Sequence, residues 1–207
     1  MIPQTFNFQV PDDLNASHPP ERRGIRRDHA KLLVLNKNTK ITSHDYFYHI
    51  DQYLHEGDLL VLNNSRTVPA VLQGVQLKNG KEAEVRLARK KADNLWDVLP
   101  AVEDLKVGDI IMFSEKLTGE IVGEQKNQPI KTMQFNKSGM ELYEEIYTLG
   151  EPIRYEYIKD HWGLEYYQTV FASQPGSVEM PSAGRAFTWA MLFDLKRKGI
   201  NIAFLQL

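Results

Sequence analysis

A chain of 207 residues, 42% hydrophobic and 25% charged, can bury a sizeable core as one large domain or two small ones. It has no cysteine, which excludes a disulfide framework and thiolate nucleophiles and removes the usual zinc ligands. The net charge of −2 excludes an indiscriminately basic nucleic-acid binder, so any RNA site has to be a local patch. The absence of an N-terminal apolar leader and of a long uncharged span predicts a cytoplasmic protein with no membrane contact.

In chain order, Phe6 to Leu14 leads into Pro19-Pro20-Glu21-Arg22-Arg23, and Arg26 and Arg27 extend the basic cluster. Arg22, Arg23, Arg26 and Arg27 suit the phosphates of an RNA stem, which they would position without reading sequence. The same cluster also fits a solvated surface loop. Lys31 to Leu35 reads as a buried strand, Ser43 to Leu54 as a helix and Asp58 to Leu62 as another buried strand. Asn63, Asn64, Ser65 and Arg66 then sit at a strand end, where polar side chains commonly read a ligand. Asn and Ser also hold turns through bonds to backbone, and both readings stay open.

The middle is a succession of short strands with turn signals: Val68 to Leu77, Glu82 to Arg89, Leu95 to Leu99, Asp109 to Ser114, Thr118 to Glu124 and Ile130 to Phe135. Asn79-Gly80 marks a hairpin between the first two, and six such runs predict a small antiparallel barrel. Gly139 to Leu149 reads as a helix. The expected organisation is α/β (α+β): a discontinuous α/β domain of residues 1–66 and 139–207, with a β-barrel domain inserted at 67–138. Trp96 and Trp162 are expected in the core or at a domain interface.

Beyond Tyr167-Gln168-Thr169-Val170-Phe171-Ala172 comes a Gly/Pro/Ser-rich stretch, Pro175 to Arg185. Pro175-Gly176 and Pro181 fix turns, and Gly184 permits a positive φ or an approach that a Cβ would block. Thr188 is placed to cap a helix from Trp189 to Lys198, with Gly199 as its stop. A loop entering a helix offers free N–H groups to a polar ligand, although an ordinary capped helix reads the same way locally. Ile200 to Leu207 reads as a last buried strand. No G-x-G-x-x-G element supports a dinucleotide-binding reading.

Three segments carry a family resemblance: Tyr167 to Thr188, Leu62-Asn63-Asn64-Ser65-Arg66-Thr67-Val68-Pro69-Ala70, and Arg27-Asp28-His29-Ala30-Lys31-Leu32-Leu33-Val34-Leu35. Together they resemble the S-adenosylmethionine:tRNA ribosyltransferase-isomerases of queuosine biosynthesis, over that family's N-terminal three-fifths. The resemblance implies an α/β barrel-like domain with a small inserted β-barrel. It implies transfer and isomerisation of the ribosyl group of S-adenosylmethionine onto 7-aminomethyl-7-deazaguanine at the tRNA wobble position, giving epoxyqueuosine. S-adenosylmethionine would be the ribosyl donor, with no metal, and a tRNA bearing a queuosine-precursor base the partner. The matching substrate-binding residues are Asn63, Ser65, Arg66, Tyr167, Gln168, Ser182, Gly184 and Thr188, with no catalytic base assigned.

The chain departs from the family pattern at Asn64, where an acid is expected, and at Arg185-Ala186, where Leu-His is expected. The family continues past the position of Leu207. The α/β domain is therefore expected to be incomplete at its C-terminus, with Ile200 to Leu207 exposed for self-association. The alternative expectation is a truncated, catalytically degenerate relative that acts as an RNA- or nucleotide-binding module without full ribosyl transfer.

Overall fold

The computed structural model describes residues 9, 11, 16–102, 104–125, 128–154, 158 and 160–207; apart from Gln9 and Pro11, the opening segment Phe6 to Leu14 lies outside them. Local side-chain bonds fold the first hairpin. The side-chain oxygen of Asn36 accepts from the backbone N–H of Asn38 and Thr39, and Lys40 turns the chain at φ 61°. This sets β1 (Lys31–Leu35) antiparallel to β2 (Thr42–Tyr46), with Lys31 opposite Tyr46 and Leu35 opposite Thr42. The expected helix from Ser43 to Leu54 is thus a strand followed by a 3-10 segment, Phe47–Tyr53. Ser43, His44, Asp45 and Tyr46 are weak helix formers, and a closed hairpin turn outweighs them. Nor is β1 a buried strand: Leu33 and Leu35 are each 61% exposed, because one face of this two-stranded sheet has no cover among the described residues.

Strand β3 (Leu59–Asn63) runs parallel to the last strand, β12 (Asn201–Leu205), in register from Leu59–Asn201 to Asn63–Leu205. Only one face of this pair is packed. Leu62 is buried with Phe171, Phe187 and Ile200, while Leu59 and Val61 point outward. Helix α2 (Trp189–Arg197) covers the packed face with Met191, Leu192 and Leu195. Its ends follow the sequence: Thr188 Oγ1 accepts from the Met191 N–H at 3.3 Å, and Gly199 takes φ 80° just beyond. Next to this pair, β4 (Ser65–Thr67) lies parallel to β11 (Gln174–Ser177).

The six middle strands close into an antiparallel barrel, as the turn spacing predicts. They are β5 (Val71–Gln76), β6 (Glu82–Ala92), β7 (Leu95–Pro100), β8 (Ile110–Met112), β9 (Thr118–Glu124) and β10 (Lys131–Phe135), in the order β10-β7-β6-β5-β8-β9 with β9 returning to β10. Asn79 turns the β5–β6 hairpin by accepting the Lys81 N–H at 3.0 Å, with Gly80 at φ 70°. Alternate residues point inward, so Leu72, Val85, Leu87, Trp96, Val98, Ile111, Ile121 and Met133 form the core. Helix α1 (Gly139–Leu149) adds Leu142 and Ile146 to that core, and Tyr143 meets the Trp96 ring edge-on at 6.3 Å. The chain is α+β, with two hydrophobic cores: the barrel with α1, and the β3–β12–α2 layer. Among the described residues no helix is long and apolar enough to cross a membrane.

Gly74 lies inside β5, against the neighbouring strand β8. A Cβ there would stand 2.7 Å from Ile111 Cγ2 and 2.8 Å from the Met112 carbonyl oxygen, a backbone atom that cannot rotate away. Gly74→Ala is therefore expected to lower unfolding free energy by about 1–3 kcal/mol, read as a reduced urea midpoint at unchanged slope. An unchanged midpoint would mean that the β5–β8 contact is looser than described.

Candidate functional site

The site begins with a clamp on β4. Gln168 accepts the Thr67 N–H at 3.0 Å through Oε1 and donates to the Thr67 carbonyl at 2.7 Å through Nε2, while Thr67 Oγ1 donates to the Tyr167 carbonyl at 2.8 Å. These three bonds pin the 3-10 turn Leu164–Tyr167 to the strand. Downstream, the turn Ser182–Gly184 packs on the same segment. Gly184 is needed there because a Cβ would sit 2.9 Å from the Phe171 ring and 3.3 Å from Thr169.

Arg185 joins both turns to the N-terminal part of the chain. It is 9% exposed, and its Nε donates to the Tyr166 carbonyl at 2.7 Å while Nη2 donates to Glu21 at 2.9 Å. The second oxygen of Glu21 accepts from Arg27 at 3.1 Å. Burial pushes the Glu21 carboxyl up. The hydrogen bond from Arg185, a backbone bond and the charges of Arg185 and Arg27 outweigh it and hold the group below its ordinary 4.5.

Between these elements lies a cavity of about 320 Å³. Trp162, Tyr166 and Tyr167 form an aromatic wall, Pro19, Pro20, Ile153 and Met180 an aliphatic one, and Ser182, Glu179, Arg23 and Arg185 supply polar groups. The Tyr167 hydroxyl is buried with no hydrogen-bond partner among the described residues. Burial pushes this phenol above its ordinary 10.0, against an opposing pull from Arg154, so at neutral pH it is a proton-bearing donor. Arg22 braces the wall from outside, 5.6 Å from the Trp162 ring centre and 5.1 Å from that of Tyr166.

Of the eight residues expected at a substrate, Tyr167 and Ser182 line this cavity, and Gly184 shapes the turn beside it. The others spend their polar groups on the fold: Gln168 on Thr67, Thr188 on α2, and Asn63 on the Ser65 N–H at 2.9 Å. Ser65 Oγ meets the backbone of Leu207 at 3.1 Å, and Arg66 lies 5.5 Å from the Tyr147 ring centre. Among the arginines, Arg23 reaches the cavity, Arg26 pairs with Asp28 at 2.5 Å while 68% exposed, and Arg27 is engaged with Glu21. Sequence reasoning missed Glu21 and the lining role of Trp162, and it took Arg185 only as a departure. A buried arginine demands a carboxylate, but nothing local says which one. Among the described residues no group of three His, Cys, Asp or Glu side chains could hold a metal ion.

The Glu21 carboxylate is stabilised as an anion in the folded state, so its contribution is fully present above pH 4.5 and is lost as pH falls through the lowered folded value. Glu21→Gln should cost about 1–3 kcal/mol at neutral pH by leaving Arg185 without its anion. It should also flatten the acid limb of the stability–pH curve below 4.5. Denaturant unfolding across this range checks it, and parallel curves for both proteins would remove Glu21 from the linkage.

A protein-family model described as a queuosine biosynthesis protein matches residues 3–207. Among solved structures, an S-adenosylmethionine tRNA ribosyltransferase from Thermotoga maritima is 26% identical, with the match covering 98% of this chain and 57% of that one at a TM-score of 0.39. The chain thus spans little more than half the length of that solved relative. With the family model matched along nearly all of its length, this protein belongs to the queuosine biosynthesis protein family.

Proposed function

We propose that this protein acts in the ribosyl-transfer step of queuosine biosynthesis, moving and isomerising the ribosyl group of S-adenosylmethionine onto 7-aminomethyl-7-deazaguanine at the tRNA wobble position, to give epoxyqueuosine. The observation that carries this reading is the cavity lined by Tyr167 and walled by two separate parts of the signature stretch, with a Tyr167 hydroxyl that is buried and has no partner among the described residues. A space of about 320 Å³ between an aromatic and an aliphatic wall suits a purine, and it falls within the usual range for small-molecule pockets. Tyr167 and Ser182 would grip the polar edges of the donor, and the carboxylate of Glu179 at the cavity supplies an anion for its sulfonium. That positive sulfur acidifies the adjoining ribose carbon and makes methionine a good leaving group. The site's tasks are therefore orientation, proton removal and exclusion of water.

The RNA side of this reading rests on charge. Arg23 at the cavity and Arg26 at the head of the following turn keep exposed positions, where they suit tRNA phosphates. The second reading, a binding module without turnover, is favoured by one residue: Ala186 stands where the family pattern has an imidazole, so a candidate proton carrier is lost.

Adenine release from S-adenosylmethionine, measured with tRNA bearing the deazaguanine precursor, separates the readings. Release supports the transferase, and donor binding without release supports the module. Tyr167→Phe, which keeps the ring and removes the donor group, is expected to weaken donor binding about 5- to 10-fold. Equal affinity would take the phenol out of the site. Arg26→Ala should lower the salt dependence of tRNA binding by roughly one unit of slope, equally for all tRNA sequences. An unchanged slope would return Arg26 to the role of a solvated partner of Asp28.

A further inference from the structure

The charge of this chain is unevenly distributed. From Arg22 to His44 it carries four arginines and three lysines against the single carboxylate of Asp28, a local net charge of +6 within a protein of net −2. That segment folds into two short 3-10 turns and the β1–β2 hairpin, whose outward face presents Lys31, Leu33 and Leu35 opposite Tyr46, His44 and Thr42.

At the base of the hairpin the aromatics are arranged flat. Tyr46 is 47% exposed and Tyr48 37% exposed, yet their rings stack at 5.7 Å with planes only 12° apart. His29 lies 4.9 Å from Tyr48 and the His49 ring 4.1 Å from it, so Tyr48 is the covered member of the stack and Tyr46 the open one. This stack is continuous with the arginine turns, since His29 lies 3.9 Å from Asp28, which holds Arg26. The nearest acid on β2, Asp45, is already engaged, accepting from the Tyr53 hydroxyl at 2.6 Å and pairing with the His49 ring at 2.7 Å. With Tyr46 half in solvent, the end of this stack offers aromatic surface to a planar partner.

We infer that the outward face of the β1–β2 hairpin is a docking surface for a structured RNA, on which an unpaired base stacks against Tyr46 at the exposed end of the Tyr46–Tyr48 stack while Lys31, Lys37 and Lys40 follow the adjoining phosphates. The five residues of β1 run roughly 17 Å. Lys31 at the base and Lys37 and Lys40 at the tip thus place positive charge at both ends of the hairpin, a spread that suits an extended polyanion rather than a single anion. An anionic membrane is the weaker match. Leu33, Leu35 and Ile41 are exposed on the hairpin, but its tip, Asn36 to Lys40, is wholly polar and the aromatic rings sit at the far end, so no aromatic anchor leads. The inference rests on the tRNA reading above and adds a second contact region, apart from the donor cavity.

The test uses the full chain, a fluorescein-labelled RNA stem-loop with unpaired loop bases, and a blunt duplex of the same length. Tyr46→Ala/Tyr48→Ala should weaken stem-loop binding roughly 5- to 150-fold for one stacked base, leaving duplex binding and the salt slope unchanged. Tyr46→Phe/Tyr48→Phe should bind as the wild type does. Lys37→Gln/Lys40→Gln should weaken both RNAs and lower the slope by roughly one to two units. Tyr46→Ala alone keeps the test decisive if the double variant fails to fold, because this ring is half in solvent. Wild-type affinity for the stem-loop in the alanine variants would overturn the platform and leave the tRNA reading standing. No RNA binding by the wild type would overturn both. Binding to phosphatidylglycerol vesicles with loss of that binding in the lysine variant, and no effect of the tyrosines on RNA, would assign the face to lipid instead.

Discussion

A buried guanidinium cannot be left unpaired, and the answer this chain gives to Arg185 organises the candidate site. Taking a charge out of water costs several kcal/mol unless an anion and backbone oxygens replace the lost hydration. Arg185 finds Glu21 at 2.9 Å and the Tyr166 carbonyl at 2.7 Å, and Glu21 in turn holds Arg27. One side chain thereby fixes three stretches of chain relative to one another: the N-terminal arginine turns, the 3-10 turn at Leu164–Tyr167 and the loop through Ser182. The cavity is the space those three leave between them. The position at which this chain departs from its family's Leu-His pattern is thus also the joint of its candidate pocket.

The two cores have different degrees of closure. The barrel has no free edge, and its interior residues, Trp96, Val98, Ile111 and Ile121 among them, are fully removed from water. The β3–β12 pair is covered on one face by α2, while Leu59, Val61 and Leu205 stand outward on the other. Parallel pairs normally bury both faces, because their crossovers place cover above and below. The barrel supplies a rigid body, and the candidate pocket is built beside it from turns and 3-10 segments, which are held by side-chain hydrogen bonds more than by ladders.

Charge is divided in the same way. The basic stretch from Arg22 to His44 runs from the turn that reaches the cavity through Arg23 into the hairpin at whose end Tyr46 and Tyr48 stack. A protein that is slightly acidic overall avoids indiscriminate polyanion binding, and a concentrated basic face still steers a specific one. Within that stretch the arginines do unequal work. Arg22 braces Trp162 and Tyr166, Arg27 is committed to Glu21, and Arg26 stays largely in solvent.

Sequence by itself determined what depends on neighbours along the chain. The barrel strands were legible because alternation and the Asn79-Gly80 turn are local, and α2 was legible because Thr188 and Gly199 mark its ends. The hairpin at Thr42–Tyr46 was not read, because its strand form is decided across the sheet, by the Asn36 turn and the pairing with β1. In the site, the signature stretch announced a binding wall but not which side chains face it. Tyr167 turns into the cavity and Gln168, the next residue, turns away to hold Thr67, and that choice is made by β4, 101 residues earlier. Only the tertiary structure could pair Arg185 with Glu21, since 164 residues separate them and the cost of burying one charge selects its partner through space, not along the chain.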